Sequence, residues 1–313
     1  MQRQSLCRKS TVTLKAKLII RNSRMRVVIT GSRGQLGHEL IRGAPASAII
    51  LGLDLPEIDI CDTTKLSKVV TEFRPSVIIN AAAYTNVDKA ESEVDLAFAV
   101  NSTAAQQLAA IARNLQSRLI HISTDFVFDG LAGRAYVPSD VVSPLSVYGR
   151  SKADAERHVL SENPNNTIVI RTAWVYSTHG GNFVKTIIRL LQERDQIRII
   201  SDQIGTPTWA GSLARCIWTF ASRPETGIWH YTDAGVASWY DFAVAIAYES
   251  HRLGIIPRMK PIIPITTHEF PTAARRPNFS VLDKSSTWPI SGQALHWQEN
   301  LRQMLSELGR NNL

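Results

Sequence analysis

Short apolar runs alternate with longer segments of helical periodicity from residue 25 onward. The runs at residues 26–30, 48–53, 76–80, 119–123 and 167–171 are predicted to be strands. Their apolar residues are consecutive rather than alternating, which is typical of parallel strands buried on both faces. Between them, residues 103–115 place Ala104, Leu108 and Ile111 on one stripe of a helix. This repeated order of strand and helix predicts an α/β protein with a Rossmann-type, doubly wound parallel sheet.

The pattern loosens after residue 171. A helix is predicted at 183–192 and strands at 197–200 and 227–231, followed by a proline-bearing tail. We therefore predict a dinucleotide-binding domain at 25–171 and a mixed region at 172–313, which completes the sheet and forms a smaller C-terminal α/β substrate lobe. Ligands of open α/β sheets bind at the carboxyl ends of the strands, so the substrate cleft is expected where this lobe meets that edge.

The positive charge of the chain is concentrated at its start. The 313 residues carry a net charge of +8, but residues 1–24 hold seven Lys or Arg and no acidic residue, which leaves 28 basic and 27 acidic residues elsewhere. A body so nearly neutral gives no reason to expect a nucleic-acid partner. Residues 1–24 share their composition with organellar transit peptides. Because Met25 opens a well-formed first strand, a basic extension without function is the favoured interpretation.

Hydropathy and cysteine content narrow the class further. No stretch reaches the roughly 18 consecutive apolar residues of a membrane span, so no membrane association is expected. Cys7, Cys61 and Cys216 are far apart and form no Cys-x-x-Cys pair, which predicts neither a disulfide framework nor a zinc site. We expect a protein of the reducing cytoplasm.

A glycine-rich turn follows the first predicted strand. Gly31, Gly34 and Gly37 form G-x-x-G-x-x-G around the start of a helix near Gln35. Glycines allow a tight turn and close approach of a ligand to the backbone, while the helix N-terminus offers free N–H groups to a pyrophosphate. This context predicts a dinucleotide site, with an ordinary strand-to-helix turn as the alternative.

Two charged residues give conflicting indications of which nicotinamide cofactor binds. Asp54 ends the second strand 23 residues after Gly31, where a carboxylate accepts hydrogen bonds from the adenosine ribose and disfavours a 2'-phosphate. Arg33, inside the glycine loop, attracts such a phosphate. NADH and NADPH are therefore both predicted as cofactors, and a solvated strand-end carboxylate is the simpler interpretation of Asp54.

Tyr148 and Lys152 are spaced i, i+4, which places both side chains on one face of a helix. The ordinary tyrosine pKa of about 10 is too high for proton exchange at neutral pH, and a neighbouring ammonium lowers it. The pair therefore predicts a proton-transferring tyrosine that is tuned by a lysine. A surface contact on a helix is the alternative.

Polar and small residues follow two of the predicted strands. Thr124 and Asp125 come directly after one strand, and residues 80–85 (Asn-Ala-Ala-Ala-Tyr-Thr) end another. The carboxyl ends of parallel strands share one edge, so Thr124 is expected to hydrogen-bond a substrate carbonyl beside Tyr148. A strand-ending turn would explain Thr124 and Asp125 without any function.

In combination, these motifs resemble the extended short-chain dehydrogenase/reductase superfamily and, within it, the family of dTDP-4-dehydrorhamnose reductases. The similarity runs from Met25 nearly to the C-terminus. Seven motifs carry it in order: GSRGQLG (31–37), NAAAYTNVDKAE (80–91), STDFVFDG (123–130), SPLSVYGRSK (143–152), RTAWVY (171–176), DQIGTPT (202–208) and RRPNFSVLD (275–283).

The resemblance implies an NAD(P)H-dependent oxidoreductase of nucleotide-sugar biosynthesis that reduces the C4 ketone of dTDP-4-dehydro-6-deoxy-L-mannose to give dTDP-L-rhamnose. It implies that Tyr148 donates a proton to the carbonyl oxygen, that Lys152 holds the nicotinamide ribose and lowers the Tyr148 pKa, and that Thr124 polarises the carbonyl. The implied sugar contacts are Thr124, Asp125 and Trp174, and Trp174 has a core aromatic as its alternative. The implied cofactor contacts are Gly31, Gly34, Gln35, Leu36, Gly37, Asp54, Asp62, Ala83, Tyr84, Thr85, Tyr148 and Lys152.

The chain departs from the family pattern at residues 1–24 and at Arg33, where a small or amide residue is expected. Some members are described with Mg²⁺, but no compact carboxylate cluster in this sequence predicts a hard-cation site, so metal use stays open. A homodimer also stays open. Arg275 and Arg276 either engage the substrate diphosphate or are solvated loop charges, and the second interpretation is favoured.

Two rival functions stay open from the sequence. One is a nucleotide-sugar epimerase or dehydratase of the same superfamily, although the single acid at Asp125 favours simple reduction. The other is a non-catalytic cofactor-binding subunit, because the regulatory subunit of methionine adenosyltransferase resembles this family. The joint presence of Thr124, Tyr148 and Lys152 favours catalysis.

Overall fold

The computed structural model describes residues 25–310, and the predicted basic extension lies outside them. The strands are β1 (Met25–Thr30), β2 (Ala48–Leu53), β3 (Val77–Asn80), β4 (Arg118–Thr124), β5 (Thr167–Thr172), β6 (Val175–Tyr176), β7 (Ile197–Ile200), β8 (Ile204–Gly205), β9 (Thr208–Trp209), β10 (Gly227–His230), β11 (Ala237–Ser238) and β12 (Ile262–Ile265). The α-helices are α1 (Gln35–Arg42), α2 (Thr63–Phe73), α3 (Val87–Ala90), α4 (Val94–Phe98), α5 (Ala104–Asn114), α6 (Val147–Glu162), α7 (Phe183–Glu193), α8 (Ala210–Ala221), α9 (Trp239–Arg252), α10 (Trp288–Ser291) and α11 (Trp297–Arg310).

Six parallel strands form the central sheet in the order β2, β1, β3, β4, β5, β10. The chain runs outward from β1 to β2 and then returns to the other side of β1, so the strand order reverses between β1 and β3. A crevice forms at the carboxyl ends of the strands at such a reversal. The pairing register places Thr30 opposite Asn80, and Asn80 opposite His121.

Both faces of the sheet are covered, which explains the consecutive apolar residues of its strands. Val27 and Ile29 face the core formed with α1 and α8, whereas Val28 and Ile78 face the core formed with α2, α5 and α6. Each buried aliphatic side chain contributes about 1.5–3 kcal/mol to folding, so the alternation of faces along β1 fixes its orientation.

The region after residue 171 contributes to two parts of the molecule. β10 extends the sheet beside β5, and α8 packs against α1. Helices α7, α9 and α11 form a lobe around a separate core, in which Phe242 and Trp297 are buried. Short strand pairs, β7 with β12 and β6 with β9, border this lobe.

The predicted Rossmann-type fold class is confirmed, and the five predicted sheet strands lie within one residue of their observed bounds. The predicted helix at 103–115 differs at its start, because a π-helical turn over Ala99–Thr103 precedes α5. Among the described residues, no helix combines the length and the apolar character needed to cross a bilayer.

Candidate active site

The glycine loop after β1 is closed by backbone contacts that leave no room for side chains. Gly31 has a φ of +67°, and a Cβ there would lie 2.7 Å from the Ala82 Cα. A Cβ on Gly37 would lie 2.1 Å from the Gly31 carbonyl oxygen, and the Gly34 N–H donates to that same oxygen at 3.0 Å. The loop therefore lies directly against the end of β3, at the reversal of strand order.

The N-terminus of α1 faces this crevice. Its N-cap is Gly34, and no side chain within residues 25–310 caps it. The first N–H groups of the helix and its dipole are therefore available to an anion, which fits the pyrophosphate of a dinucleotide. Of the predicted cofactor contacts on this helix, Leu36 is buried in the sheet core, while Gln35 lies at the helix start.

A segment of the lobe, residues 177–182, contacts both α1 and the glycine loop. Ser177 Oγ donates to Glu39 at 2.8 Å, and Asn182 Nδ2 donates to Gln35 Oε1 at 3.0 Å. His179 Nε2 lies 2.8 Å from the Arg33 carbonyl oxygen. This segment therefore connects the lobe directly to the predicted cofactor site.

Asp54 and Arg33 meet at the end of β2. The Asp54 carboxylate accepts the Arg33 backbone N–H at 2.7 Å and the Leu55 N–H at 2.8 Å, so each oxygen already has a partner. The Arg33 guanidinium donates to the Leu55 carbonyl at 2.6 Å and pairs with Glu57 at 2.7 Å, on an exposed surface. The carboxylate thus stabilises the loop, and the guanidinium lies beside it.

The other predicted cofactor residues differ from one another in exposure and in contacts. Asp62 is exposed and caps α2 by accepting the Lys65 N–H at 3.0 Å. Tyr84 follows the partly buried Ala83, and its hydroxyl donates to Glu93, which raises the pKa of Tyr84 to about 12. Thr85 is exposed. Ala83, Tyr84 and Thr85 lie at the crevice after β3, whereas the observed contact of Asp62 is a helix cap.

Asn101, which the sequence pattern did not indicate, connects the loop after β3 to α6. Its side chain lies in the π-helical turn, accepts the Tyr84 N–H at 2.8 Å and donates to Ser151 at 2.9 Å. Ser151 in turn donates to the Tyr148 carbonyl at 2.8 Å. π-helical turns frequently occur at functional sites, and here the turn places a buried amide between the loop after β3 and α6.

Thr124 and Asp125 lie at the end of β4 and are almost fully buried. Thr124 Oγ1 donates to Asp125 Oδ1 at 3.1 Å, while Asp125 Oδ2 has no hydrogen-bond partner among the described residues. Desolvation raises the pKa of Asp125 to about 6, against the opposing effect of the Ser280 and Thr124 hydroxyls. An unpaired buried carboxylate oxygen at the sheet edge fits a site that accepts a polar ligand.

The raised pKa of Asp125 predicts a specific pH dependence of stability. Because the folded-state pKa exceeds the usual 3.8, the stability linked to this group is full below about pH 3.8 and is lost as pH rises through about 6. Asp125→Asn is therefore expected to raise the free energy of unfolding at pH 7.5 by up to about 3 kcal/mol. Denaturant unfolding at pH 7.5 and pH 4 checks this, because the difference between variant and parent should shrink to about 0.5 kcal/mol at pH 4.

Asp140 provides a control of opposite sign. Its hydrogen bond with Arg134 lowers the pKa of Asp140 to about 2, so Asp140→Asn is expected to destabilise the protein at pH 7.5. An equal stability difference for Asp125→Asn at both pH values would contradict the burial of an ionisable carboxyl at this position.

Tyr148 lies in the first turn of α6, which Ser146 caps by accepting the Gly149 N–H at 3.1 Å. Its ring packs edge-on against Phe126, with ring centroids 5.7 Å apart. Desolvation raises the pKa of Tyr148 to about 12; the charge of Asp125 adds to this shift and the Thr124 hydroxyl opposes it. The phenol is therefore fully protonated at neutral pH and can act as a proton donor.

Lys152 lies one turn further along α6 and is only 2% exposed. Its Nζ donates to the Ile122 carbonyl at 2.6 Å and lies 3.2 Å from His121 Nε2. Desolvation lowers the pKa of Lys152 to about 8, while Glu156 acts to raise it. The predicted lowering of the Tyr148 pKa by Lys152 is not met in this structure, because the amine is bound to β4 and desolvation dominates at the phenol.

Trp174 lies just beyond β5, where the lobe begins. Its backbone is left-handed, with a φ of +48°, and its indole stacks on Trp239 with ring centroids 3.5 Å apart. A Cβ at Gly205 would lie 2.7 Å from this indole. Left-handed backbone is costly for a bulky residue and tends to occur at functional sites, where the surroundings hold it in place. The sequence offered no local signal for the partner Trp239.

A cavity of about 310 Å³ opens beside Trp174, between the sheet edge and the lobe. Its lining includes Phe126, Trp174, Phe183, Trp239, Phe270 and Arg276. Arg276 pairs with Asp88 at 2.6 Å, whereas Arg275 is exposed. The solvated-loop interpretation therefore fits Arg275 and is wrong for Arg276, whose position in the cavity depends on tertiary contacts that its neighbours in sequence do not reveal.

Metal ligands do not gather in this region. Within residues 25–310, no group of three or more His, Cys, Asp or Glu side chains is arranged to hold a metal ion. Of the two cysteines in that range, Cys61 is exposed and Cys216 is buried, and both are free thiols.

The sheet is doubly wound, and its glycine loop lies where the strand order reverses. A helix with the Tyr-x-x-x-Lys motif lies beside a threonine at a strand end. Together these features define an extended short-chain dehydrogenase/reductase. The family model described as "RmlD substrate binding domain" matches residues 25–310. A dTDP-4-dehydrorhamnose reductase from Aggregatibacter actinomycetemcomitans is 41% identical over 88% of this chain and 97% of the relative. A dTDP-4-keto-6-deoxy-D-glucose reductase from Streptomyces niveus is 36% identical over 89% and 96%, respectively.

A solved structure supports the same assignment. The crystal structure of dTDP-4-dehydrorhamnose reductase from Bacillus anthracis in complex with NADP superposes with a TM-score of 0.85 at 35% identity, covering 91% of this chain and 99% of that one. This chain belongs to the dTDP-4-dehydrorhamnose reductase family. The family and the oxidoreductase class predicted from the motifs are confirmed, while the role of each site residue stays a prediction.

Proposed function

We propose that this chain catalyses the NAD(P)H-dependent reduction of the C4 ketone of dTDP-4-dehydro-6-deoxy-L-mannose to dTDP-L-rhamnose. The observation that carries the proposal is the protonated Tyr148 beside Thr124, at the strand edge that also holds the glycine loop. The names of the relatives at 35–41% identity support the same substrate. A cytoplasmic location and a homodimer are further parts of this proposal and await their own tests.

Each side chain of the site has its own role in the proposed reaction. When bound, the reduced nicotinamide supplies the hydride to C4. Tyr148 donates the phenolic proton to the ketone oxygen, and Thr124 hydrogen-bonds that oxygen as its charge develops. Lys152 holds the nicotinamide ribose with the N–H that β4 does not use. Thr124 and Lys152 are almost fully buried, which excludes water from them and strengthens the interactions that they make.

The sugar lies in the cavity beside Trp174 in this proposal. The stacked Trp174 and Trp239 provide an apolar wall, and Asp125 provides a buried carboxyl oxygen without a partner. Arg276 provides a positive charge for the diphosphate, although it must then share or release its bond to Asp88.

An NADPH oxidation assay tests the function directly. The purified chain is incubated with dTDP-4-dehydro-6-deoxy-L-mannose or with dTDP-4-keto-6-deoxy-D-glucose, and absorbance loss and sugar product are followed together. One NADPH consumed per dTDP-L-rhamnose formed is the expected result. Product without net NADPH consumption would indicate an epimerase, and cofactor binding without turnover of either sugar would indicate a regulatory subunit.

The contacts of Arg33 predict how the two cofactors are distinguished. Because the Asp54 oxygens already accept backbone N–H groups, the exposed guanidinium is free to exchange Glu57 for a 2'-phosphate. Arg33→Gln is therefore expected to weaken NADPH binding by about threefold to tenfold and to leave NADH binding nearly unchanged, since an exposed ion pair is screened. Fluorescence titrations with both cofactors measure this.

Glu57→Gln is the matched control for this prediction. It removes the competing carboxylate and should tighten NADPH binding, the opposite of the Arg33 variant. Equal losses of NADH and NADPH affinity in Arg33→Gln would show that Arg33 only stabilises the glycine loop and does not distinguish the two cofactors.

A further inference from the structure

A continuous row of buried polar side chains crosses the sheet beneath the site. Thr30 Oγ1 donates to Asn80 Oδ1 at 2.7 Å, and Asn80 Nδ2 lies 3.1 Å from His121 Nδ1. His121 Nε2 lies 3.2 Å from Lys152 Nζ. The first three residues end or occupy the adjacent strands β1, β3 and β4, and each is at most 1% exposed. Buried polar groups are costly unless paired, so a fully paired row inside an apolar sheet calls for an explanation.

This row is not a route for protons to reach solvent. Its far end at Thr30 is completely buried and its members have no exposed neighbour in the row. Burial and the charge of Lys152 hold the pKa of His121 well below its usual range, so the imidazole is neutral at physiological pH. The row therefore acts on Lys152, at its only functional end.

The hydrogen bonds along the row can be donated in either of two directions. In the observed direction, the Asn80 amide donates to His121 Nδ1, so the imidazole proton is on Nε2 and pairs with Lys152 as a neutral amine. Rotating the Asn80 amide by half a turn reverses the order: its oxygen accepts Nδ1–H, and the bare Nε2 accepts from the Lys152 ammonium. Thr30 Oγ1 donates to the Asn80 oxygen in the first direction and accepts from the Asn80 amide nitrogen in the second, so these two side chains stay hydrogen-bonded in both.

We propose that Thr30, Asn80 and His121 form a buried positioning row that fixes Lys152 Nζ on β4 and accommodates both of its protonation states. The row thereby sets the pH range over which Lys152 serves the cofactor. The inference rests on the proposed function, in which Lys152 holds the nicotinamide ribose. His121 is a positioning residue, because it acts only through Lys152.

The elements packed around Lys152 carry other charged or titratable groups. Tyr148 and Glu156 lie on α6, Arg171 lies on β5, and Asp125 follows β4. Glu156 is paired with Arg171 at 2.7 Å, so its charge is largely compensated within the pair. His121 Nε2 is one of the two polar contacts observed for Nζ, and the other is the Ile122 carbonyl.

The test compares His121→Asn with His121→Gln. The two amides differ by one methylene: the shorter one reaches Asn80 but not Lys152, and the longer one reaches Lys152. NADPH binding is measured by fluorescence from pH 6 to pH 10, and kcat from the oxidation assay. In His121→Asn the buried ammonium loses one acceptor, so the alkaline fall in binding should move to lower pH by about one unit. We expect kcat to fall by up to about 100-fold, and His121→Gln to restore most of both values.

Folding of each variant is checked by circular dichroism. Asn80→Ser is an independent variant that removes the hydrogen bond to His121 Nδ1. We expect it to move the alkaline fall in NADPH binding to lower pH by less than His121→Asn does. Parent-like pH profiles in both His121→Asn and Asn80→Ser would overturn the proposal, as would equal losses of binding in the Asn and Gln variants with no change in the profile. If the parent turns over neither sugar, the proposed reaction fails, while the NADPH binding profiles still test the row.

Discussion

Tyr148→Phe is expected to lower kcat by about 10²- to 10⁴-fold, because it removes the proton that the ketone oxygen must receive. The ring packs against Phe126 and carries no backbone cap, so removing the hydroxyl should leave α6 intact. NADPH affinity should change by less than about threefold, since the glycine loop and α1 lie elsewhere in the crevice. Single-turnover measurements of NADPH oxidation, with parallel fluorescence titrations of cofactor binding, check both parts.

Tyr248→Phe is the control for this change, because Tyr248 is 60% exposed on α9, outside the described site. Its kcat should equal that of the parent. Retention of parent-like turnover in Tyr148→Phe would remove this residue from the mechanism and, with it, the assignment of the proton donor.

Gly37→Ala is expected to abolish cofactor binding in practice, with the dissociation constant for NADPH rising by about 100-fold as backbone hydrogen bonds to the pyrophosphate are lost. The added Cβ would lie 2.1 Å from the Gly31 carbonyl oxygen, so the glycine loop and α1 must move apart. The same strain should lower the free energy of unfolding by about 1–3 kcal/mol. Fluorescence titration and thermal unfolding measure the two effects.

The sign of the stability change makes this test specific. Alanine ordinarily stabilises a helix by about 1 kcal/mol relative to glycine, so a gain in stability would show that the loop is more open than the structure indicates. Gly133→Ala serves as the control, because a Cβ there meets nothing within 4 Å and should leave both NADPH binding and stability near the parent values.

The strands of the sheet were predictable because their own residues indicate how the strands are buried. Runs such as Val27 to Ile29 are apolar at every position only when both faces are covered, and this signal is local. The π-helical turn before α5 was not predictable in the same way. It depends on Asn101 reaching Tyr84 and Ser151, two residues that are distant from it in sequence.

The candidate site likewise combines residues that the sequence could indicate with properties that it could not. Gly31, Tyr148 and Lys152 belong to short motifs whose spacing carries chemical meaning, so the sequence could indicate them. Their electrostatics could not be predicted, because the pKa of Tyr148 depends on how deeply the phenol is buried and on where the Lys152 amine points. Trp239 and Arg276 lie in the cavity only because the lobe folds back over the sheet edge.

The lobe segment at 177–182 has a thermodynamic consequence. It begins three residues after Trp174, which lines the cavity, and it ends at Asn182, which holds Gln35 at the start of α1. One stretch of backbone therefore joins the walls of two ligand pockets. Any shift of this stretch when one ligand binds changes the free energy of binding the other, and by linkage the effect is equal in both directions. Cofactor and nucleotide sugar are thus expected to bind as interdependent ligands, with each changing the affinity for the other by the same factor.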